Sequence, residues 1–235
     1  MIMPLRKQLI ASLGAAVVTA LLVCTPAHAD TINWTHWTSG TSGTPGSATG
    51  TAGSITVTYS GQTSGLTNSP SWTPATTFMG GSVGNAPPGS FSSVAIEGGV
   101  PTLTETITFS SPIVDPVMAI WSLGAGGAPA SFNFTSTEPF TIVAGGPSAE
   151  FGGSTITQSG NNVLGSEGNG TIIFNGTFSS LTFTTPTFEN FYAFTVGYDA
   201  TATGGTPPVP EPGSLALLGT GLAGLAALRR RFLRA

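Results

Sequence analysis

Thr102-Leu103-Thr104-Glu105-Thr106-Ile107-Thr108-Phe109 is the stretch that decides the fold. Leu103, Ile107 and Phe109 share one parity with Glu105 between them, and threonine fills every position of the other parity. Side chains on a strand point alternately to opposite faces, so this period of two predicts a β-strand with one apolar and one hydroxyl-bearing face. Glu105 then falls on the apolar face. It is either a buried carboxyl, whose proton affinity burial would raise, or an edge residue in contact with water.

The same alternation extends in both directions. Ile55, Val57 and Tyr59 alternate with Thr56, Thr58 and Ser60, and further runs follow at Val117–Leu123, Ser131–Phe134, Phe140–Val143, Thr171–Phe174, Leu181–Thr184 and Phe191–Tyr198. In the last run Tyr192, Phe194, Val196 and Tyr198 share a face. Turn formers separate the runs, as at Gly98-Gly99-Val100-Pro101, Gly124–Pro129, Gly145-Gly146-Pro147 and Gly152-Gly153. Short strands at this spacing, with no helical period between the two chain ends, predict an all-β domain over residues 55–200. The expected architecture is an antiparallel β-sandwich or jelly roll, with a closed barrel as second choice. Residues 30–54 are dominated by Thr, Ser and Gly. They are expected to form a partly flexible start in which Trp34 and Trp37 pin the first strand or, as the alternative, stack on sugars, and His36 has no catalytic partner.

Charge is sparse and strictly placed. The chain has 235 residues, 6 Lys+Arg and 10 Asp+Glu, and only 7% of residues are charged. The basic residues are Arg6, Lys7, Arg229, Arg230, Arg231 and Arg234. Asp30, Glu97, Glu105, Asp115, Glu138, Glu150, Glu167, Glu189 and Asp199 all lie between residues 30 and 208, where no Lys or Arg occurs. A purely anionic body repels phosphate backbones, so no nucleic-acid partner is expected. It also lacks a lysine for Schiff-base chemistry and an arginine to clamp a phosphate. Sheet edges, often guarded by lysine, must here be guarded by other means, and edges left open would favour adhesion.

The ends of the chain read as addresses. Arg6 and Lys7 precede an apolar run from Leu9 to Val23, and Ala27-His28-Ala29 supplies small residues three and one positions before Asp30. This predicts a signal peptide over 1–29, cleaved after Ala29. The alternatives are an uncleaved anchor helix, disfavoured because the apolar run is shorter than the ~20 residues a spanning helix needs, and lipidation of Cys24, disfavoured by the bulk of Val23. Cleavage after Ala29 removes the only cysteine, leaving no disulfide or thiolate chemistry. At the other end, Pro207, Pro208, Pro210 and Pro212 make residues 201–212 an extended linker. The uncharged segment 213–228 follows, spanning about 24 Å as a helix, and is expected to cross a membrane. Arg229, Arg230 and Arg231 then place the tail 229–235 on the cytoplasmic side and the body outside.

Val209-Pro210-Glu211-Pro212, an apolar helix and a terminal basic cluster, in that order, resemble the PEP-CTERM sorting signal of Gram-negative bacteria. The resemblance covers residues 207–235. It implies recognition by exosortase and delivery to the cell surface or extracellular matrix, with Glu211 and its flanking prolines acting as substrate.

Candidate sites in the body are few. Glu167-Gly168-Asn169-Gly170 gathers a carboxylate and an amide before a strand, and with Asp199 could contribute oxygen ligands for calcium; Asn-Gly is equally a turn signal. Glu189 and Asn190 bracket the last strand with Asp199 and could join such a site or merely solvate the strand ends. No nucleophile motif or zinc spacing occurs, so no catalytic activity and no obligatory cofactor are expected. The Asn-x-Thr sequons at Asn33, Asn133, Asn169 and Asn175 follow from composition. The leading reading is an exported structural or adhesive protein of extracellular polysaccharide or biofilm. The alternatives are a carbohydrate-binding module, with or without calcium, and a glycoside hydrolase or lyase.

Overall fold

The computed structural model describes residues 29–201. The signal-peptide cleavage residue Ala27, the PEP motif, the segment 213–228 and the arginine cluster lie outside the described residues. Among the described residues no helix is long and apolar enough to cross a membrane.

Sixteen strands and one helical turn follow in chain order: β1 (Ile32–Trp34), β2 (His36–Thr41), β3 (Gly43–Ala52), β4 (Ile55–Thr63), β5 (Gly65–Thr67), α1 (Ala75–Phe78), β6 (Ser93–Ile96), β7 (Glu105–Val114), β8 (Val117–Leu123), β9 (Ala130–Phe134), β10 (Phe140–Gly145), β11 (Ser154–Thr155), β12 (Thr157–Ser159), β13 (Asn162–Gly165), β14 (Gly168–Phe174), β15 (Thr177–Thr184) and β16 (Tyr192–Asp199). They build two sheets packed as a sandwich. The first runs β10-β14-β8-β16-β6-β5, with β1 added on β16 and β11 on β14; the second runs β12-β13-β9-β15-β7-β4-β3-β2. All pairings are antiparallel except the short β11–β14 contact. The sheets are open, so the barrel alternative does not apply.

The alternation read from sequence sorts side chains between core and surface. Ala48, Tyr59, Ile107 and Leu181 stand opposite one another across β3, β4, β7 and β15, and all four are buried between the sheets. Tyr192, Phe194, Val196 and Tyr198 meet them from β16. Phe132 is a hub, edge-on to Phe183 at 5.2 Å and to Tyr192 at 5.6 Å. Such aromatic pairs contribute about 0.5–1.5 kcal/mol each beyond the area they bury.

The first sheet is covered on both faces, which explains why β8 is apolar almost throughout and buried along its whole length. Met118 and Ile120 enter the inter-sheet core, while Val117, Ala119 and Trp121 face a second cluster with Trp34, Trp72 and Phe78. The segment between β5 and β6, including α1, forms this lid; the Thr171 hydroxyl donates to the Phe78 carbonyl (2.9 Å) and pins it to β14.

Residues 30–54 are corrected from a flexible start to three strands. Trp34 and Trp37 are buried, the Trp37 indole donates to Thr195 Oγ1 (3.2 Å), and the Thr35 hydroxyl donates to the Val196 carbonyl (2.7 Å). The sequence hid this because the inward positions of β3 are Gly46, Ala48, Gly50 and Ala52, too small to register as apolar alternation. The edges are also less open than expected. β5 and β12 have three residues each, and the β2–β3 ladder shifts register between Trp37 and Ser39, so short strands and a bulge discourage pairing where lysine would otherwise do so.

Candidate functional site

At one end of the first sheet β8 finishes while β14 and β16 begin. Gly168 faces Leu123 and Ala193 faces Trp121, and this register brings the loops before β14 and β16 together. The β14–β8 ladder is interrupted between Gly168 and Gly170, and Asn169 occupies the bulge. Its side chain replaces the missing ladder contacts: Oδ1 accepts from Ser122 N (2.8 Å), and Nδ2 donates to the carbonyls of Gly152 and Glu167 (both 3.1 Å). Ser122 and Glu167 both adopt left-handed backbone angles, φ 56° and 54°, which cost non-glycine residues on the order of 1–3 kcal/mol and persist where surrounding bonds impose them. The Ser122 hydroxyl donates to Glu167 Oε2 (2.7 Å), and Glu167 N donates to the Gly124 carbonyl (2.7 Å).

Ser122 and Glu167 line a cleft of about 220 Å³ with Ala125, Phe151, Glu189, Asn190 and Phe191. Glu189 is half-buried beside Glu167. Burial is the main cause that pushes its pKa up to about 7; the Glu167 charge adds to this, and hydrogen bonds from Phe191 N and Gly124 N oppose it. Phe151, 57% exposed, lies over Trp121 with ring centroids 5.2 Å apart. The Trp121 indole in turn donates to Glu150 Oε2 (2.9 Å). Burial would raise the Glu150 pKa, but hydrogen bonds from Ser71 and Trp121 outweigh it and the net direction is down. The cleft thus sets two carboxylates and an exposed aromatic side by side.

The calcium candidates do not converge. Glu167 is in this cleft, but the Asn169 oxygen is buried and turned to Ser122 N. Asp199 lies at the far end of β16, opposite Ile32, with its carboxylate accepting from Thr201. Among the described residues no group of three or more His, Cys, Asp or Glu side chains is placed to hold a metal. In the sequence Glu189 and Asn190 stand out only as brackets of β16. Their meeting with Glu167 is a product of strand register, which local pattern does not reveal.

Glu105 is a buried carboxyl and not an edge residue, because β7 runs between β15 and β4. The Tyr59 hydroxyl lies 2.5 Å from Glu105 Oε2 and 2.7 Å from the Gln62 carbonyl oxygen, and the Thr185 hydroxyl donates to Glu105 Oε1. A phenol oxygen carries one proton and a carbonyl carries none. If Tyr59 donates to Gln62, the short contact to Glu105 needs the carboxyl's own proton. Burial, the largest cause, accordingly raises the Glu105 pKa to about 7, against the hydrogen bonds from Thr185 and Tyr59. Glu105 lines neither the acidic cleft nor the groove at the opposite end, so this network is part of the core.

The outer face of the second sheet is the other distinctive surface. Cross-strand register lines up Ser39, Thr49, Thr58, Thr108 and Ser180 in one row, and Thr41, Ser47, Ser60, Thr106 and Thr182 in a second. All are exposed or half-buried. Neighbouring hydroxyls within a row are about 4.8 Å apart, and the rows are separated by two residues, roughly 7 Å.

Residues 208–231 match the family model of the PEP-CTERM protein-sorting motif. The chain is therefore a PEP-CTERM exosortase substrate with a β-sandwich domain. The motif implies exosortase processing, and proteins that carry it are exported and sorted to the cell surface. Neither the curated proteins nor the solved structures searched contain a match to this chain.

Proposed function

We propose that the mature protein is a non-catalytic, adhesive component of the extracellular polysaccharide or biofilm matrix, held on the outer surface by its C-terminal segment until exosortase acts on it. The carrying observation is the pair of five-residue hydroxyl rows on the second sheet. Each hydroxyl both donates and accepts, no row position is itself charged, and the Glu138 carboxylate accepts from Thr182 only at the β15 end of the second row (3.0 Å), so the face matches a hydroxylated polymer better than an ionic one. Sorting and adhesion are tested separately. Replacing Glu211 and Pro212 with alanine removes the protein from the surface fraction of host cells. Replacing Thr58 and Thr108 with valine leaves sorting intact and reduces retention of the full chain on host polysaccharide.

A second reading, a glycoside hydrolase, is favoured by the adjacency of Glu167 and Glu189 and the raised proton affinity of Glu189. Release of reducing ends from host polysaccharide, abolished by Glu189→Gln, would establish it. The adhesive reading predicts no release.

A further inference from the structure

At the end of the sandwich opposite the acidic cleft, β1 and β2 form one wall of a groove, and the loop leading into β6 forms the other. Its volume is about 410 Å³, and Asn33, Trp34, His36, Thr51, Asn85 and Phe91 contribute to its lining. The walls are fixed to each other. The Asn85 carboxamide accepts from Ile32 N (2.7 Å) and donates to Ile32 O (3.2 Å), and the Trp34 indole donates to the Asn85 carbonyl (3.0 Å). Phe91, half-buried, backs the exposed His36 ring in a stack with centroids 4.4 Å apart and planes 20° from parallel. The groove is therefore preformed and carries a supported flat ring at its mouth.

Its polar groups are uncommitted. Among the described residues, none hydrogen-bonds the Asn33 carboxamide, the His36 imidazole or the Thr51 hydroxyl side chain. An amide, an imidazole and a hydroxyl beside a ring face are the groups that read a sugar, whose hydroxyls both donate and accept and whose C–H face packs on aromatic surface. Charge selects the kind of sugar. No lining residue is a Lys, Arg, Asp or Glu, the body has no Lys or Arg, and Asp199 pairs with Ile32 beside the groove. A uronate, sulfate or phosphate polymer would meet an acidic body with no lysine or arginine to pair with. The groove also opens onto the hydroxyl face: Thr51 stands opposite His36 on one side and Thr56 on the other, so a chain leaving the groove continues over Ser/Thr side chains.

We propose that this groove is a binding site for a neutral saccharide chain, with His36 as stacking platform and Asn33 and Thr51 as hydrogen-bonding contacts. The choice of ligand class rests on the matrix role proposed above. The test is titration calorimetry of the full chain in detergent with cellohexaose, laminarihexaose, maltohexaose and mannohexaose, and with the hexamer of galacturonate as anionic probe. At least one neutral hexasaccharide binds and the galacturonate does not. His36→Ala weakens binding roughly tenfold, about 1.4 kcal/mol. His36→Phe keeps most of it, and Gln158→Ala, on exposed β12 at the far edge of the second sheet, leaves it unchanged. Unaltered thermal unfolding of His36→Ala excludes misfolding as the cause of a loss.

Binding of none of the neutral probes, equal binding by His36→Ala, or loss in Gln158→Ala would overturn the assignment. Sedimentation of the full chain with host polysaccharide while no neutral hexasaccharide binds would overturn the groove and leave the matrix role standing. Oligosaccharide binding in the groove without any sedimentation would do the reverse.

Discussion

Replacing Glu105 with glutamine should remove a large, separable part of the pH dependence of this protein's stability between pH 5 and 8. The carboxyl is fully buried, bonded to Tyr59 and Thr185, and its pKa is raised from the ordinary 4.5 to about 7. Because the folded value exceeds the unfolded one, its contribution is complete below pH 4.5 and is lost as pH rises through 7. The difference of about 2.5 pH units corresponds to about 3 kcal/mol at 1.36 kcal/mol per unit. Glutamine imitates the neutral acid: its oxygen accepts from Thr185 and its amide donates to Tyr59, whose proton remains free for Gln62. The other ionisable groups facing the site, Tyr59 and Tyr192, are held neutral to higher pH by burial. Glu189 also titrates near pH 7 in wild type and variant alike, so the difference between them isolates Glu105. Urea unfolding of the full chain in detergent, followed by tryptophan fluorescence at several pH values, reads the effect. Wild type should lose about 3 kcal/mol more than Glu105→Gln between pH 5 and 9. Parallel stability curves for the two proteins would refute the proton assignment.

Gly61→Ala should destabilise the same network, since its new methyl would crowd the Tyr59 hydroxyl and lie 2.8 Å from Glu105 Cγ; a loss of about 1–3 kcal/mol in urea unfolding is expected. Asn169→Leu keeps the volume of the bulge residue but leaves Ser122 N and two carbonyls without their partner. It should cost about 3 kcal/mol, measured in the same way. Chelation of calcium should leave the thermal midpoint within about 1 °C of its starting value, because Asn169 is committed inward and Asp199 is remote from Glu167. A calcium-dependent rise in the midpoint would contradict that geometry.

Much of the sandwich was legible because its strands carry large apolar residues at alternate positions. Ile55, Val57 and Tyr59 marked β4, and Leu103 to Phe109 marked β7. β2 and β3 were opaque for the converse reason: glycine and alanine fill the inner positions of β3, and its burial depends on β4 lying beside it. The threonine parity predicted a hydroxyl face on each strand but not the rows, because these require the register that sets Thr49, Thr58 and Thr108 side by side. The groove was equally hidden. His36 and Phe91 come from distant parts of the chain, and the docking of Asn85 on β1 together with the Trp37–Ser92 bridge brings them side by side. Glu105 was identified as anomalous from alternation alone; topology supplied the fact that β7 is an interior strand.

The most direct test of the adhesive account is sedimentation of the full chain with polysaccharide purified from its host, measured over increasing salt. A contact surface built of uncharged hydroxyls predicts retention that is unchanged between low salt and about 1 M, where the Debye length falls to roughly 3 Å. Retention that disappears over that range, or no retention at all, would contradict it.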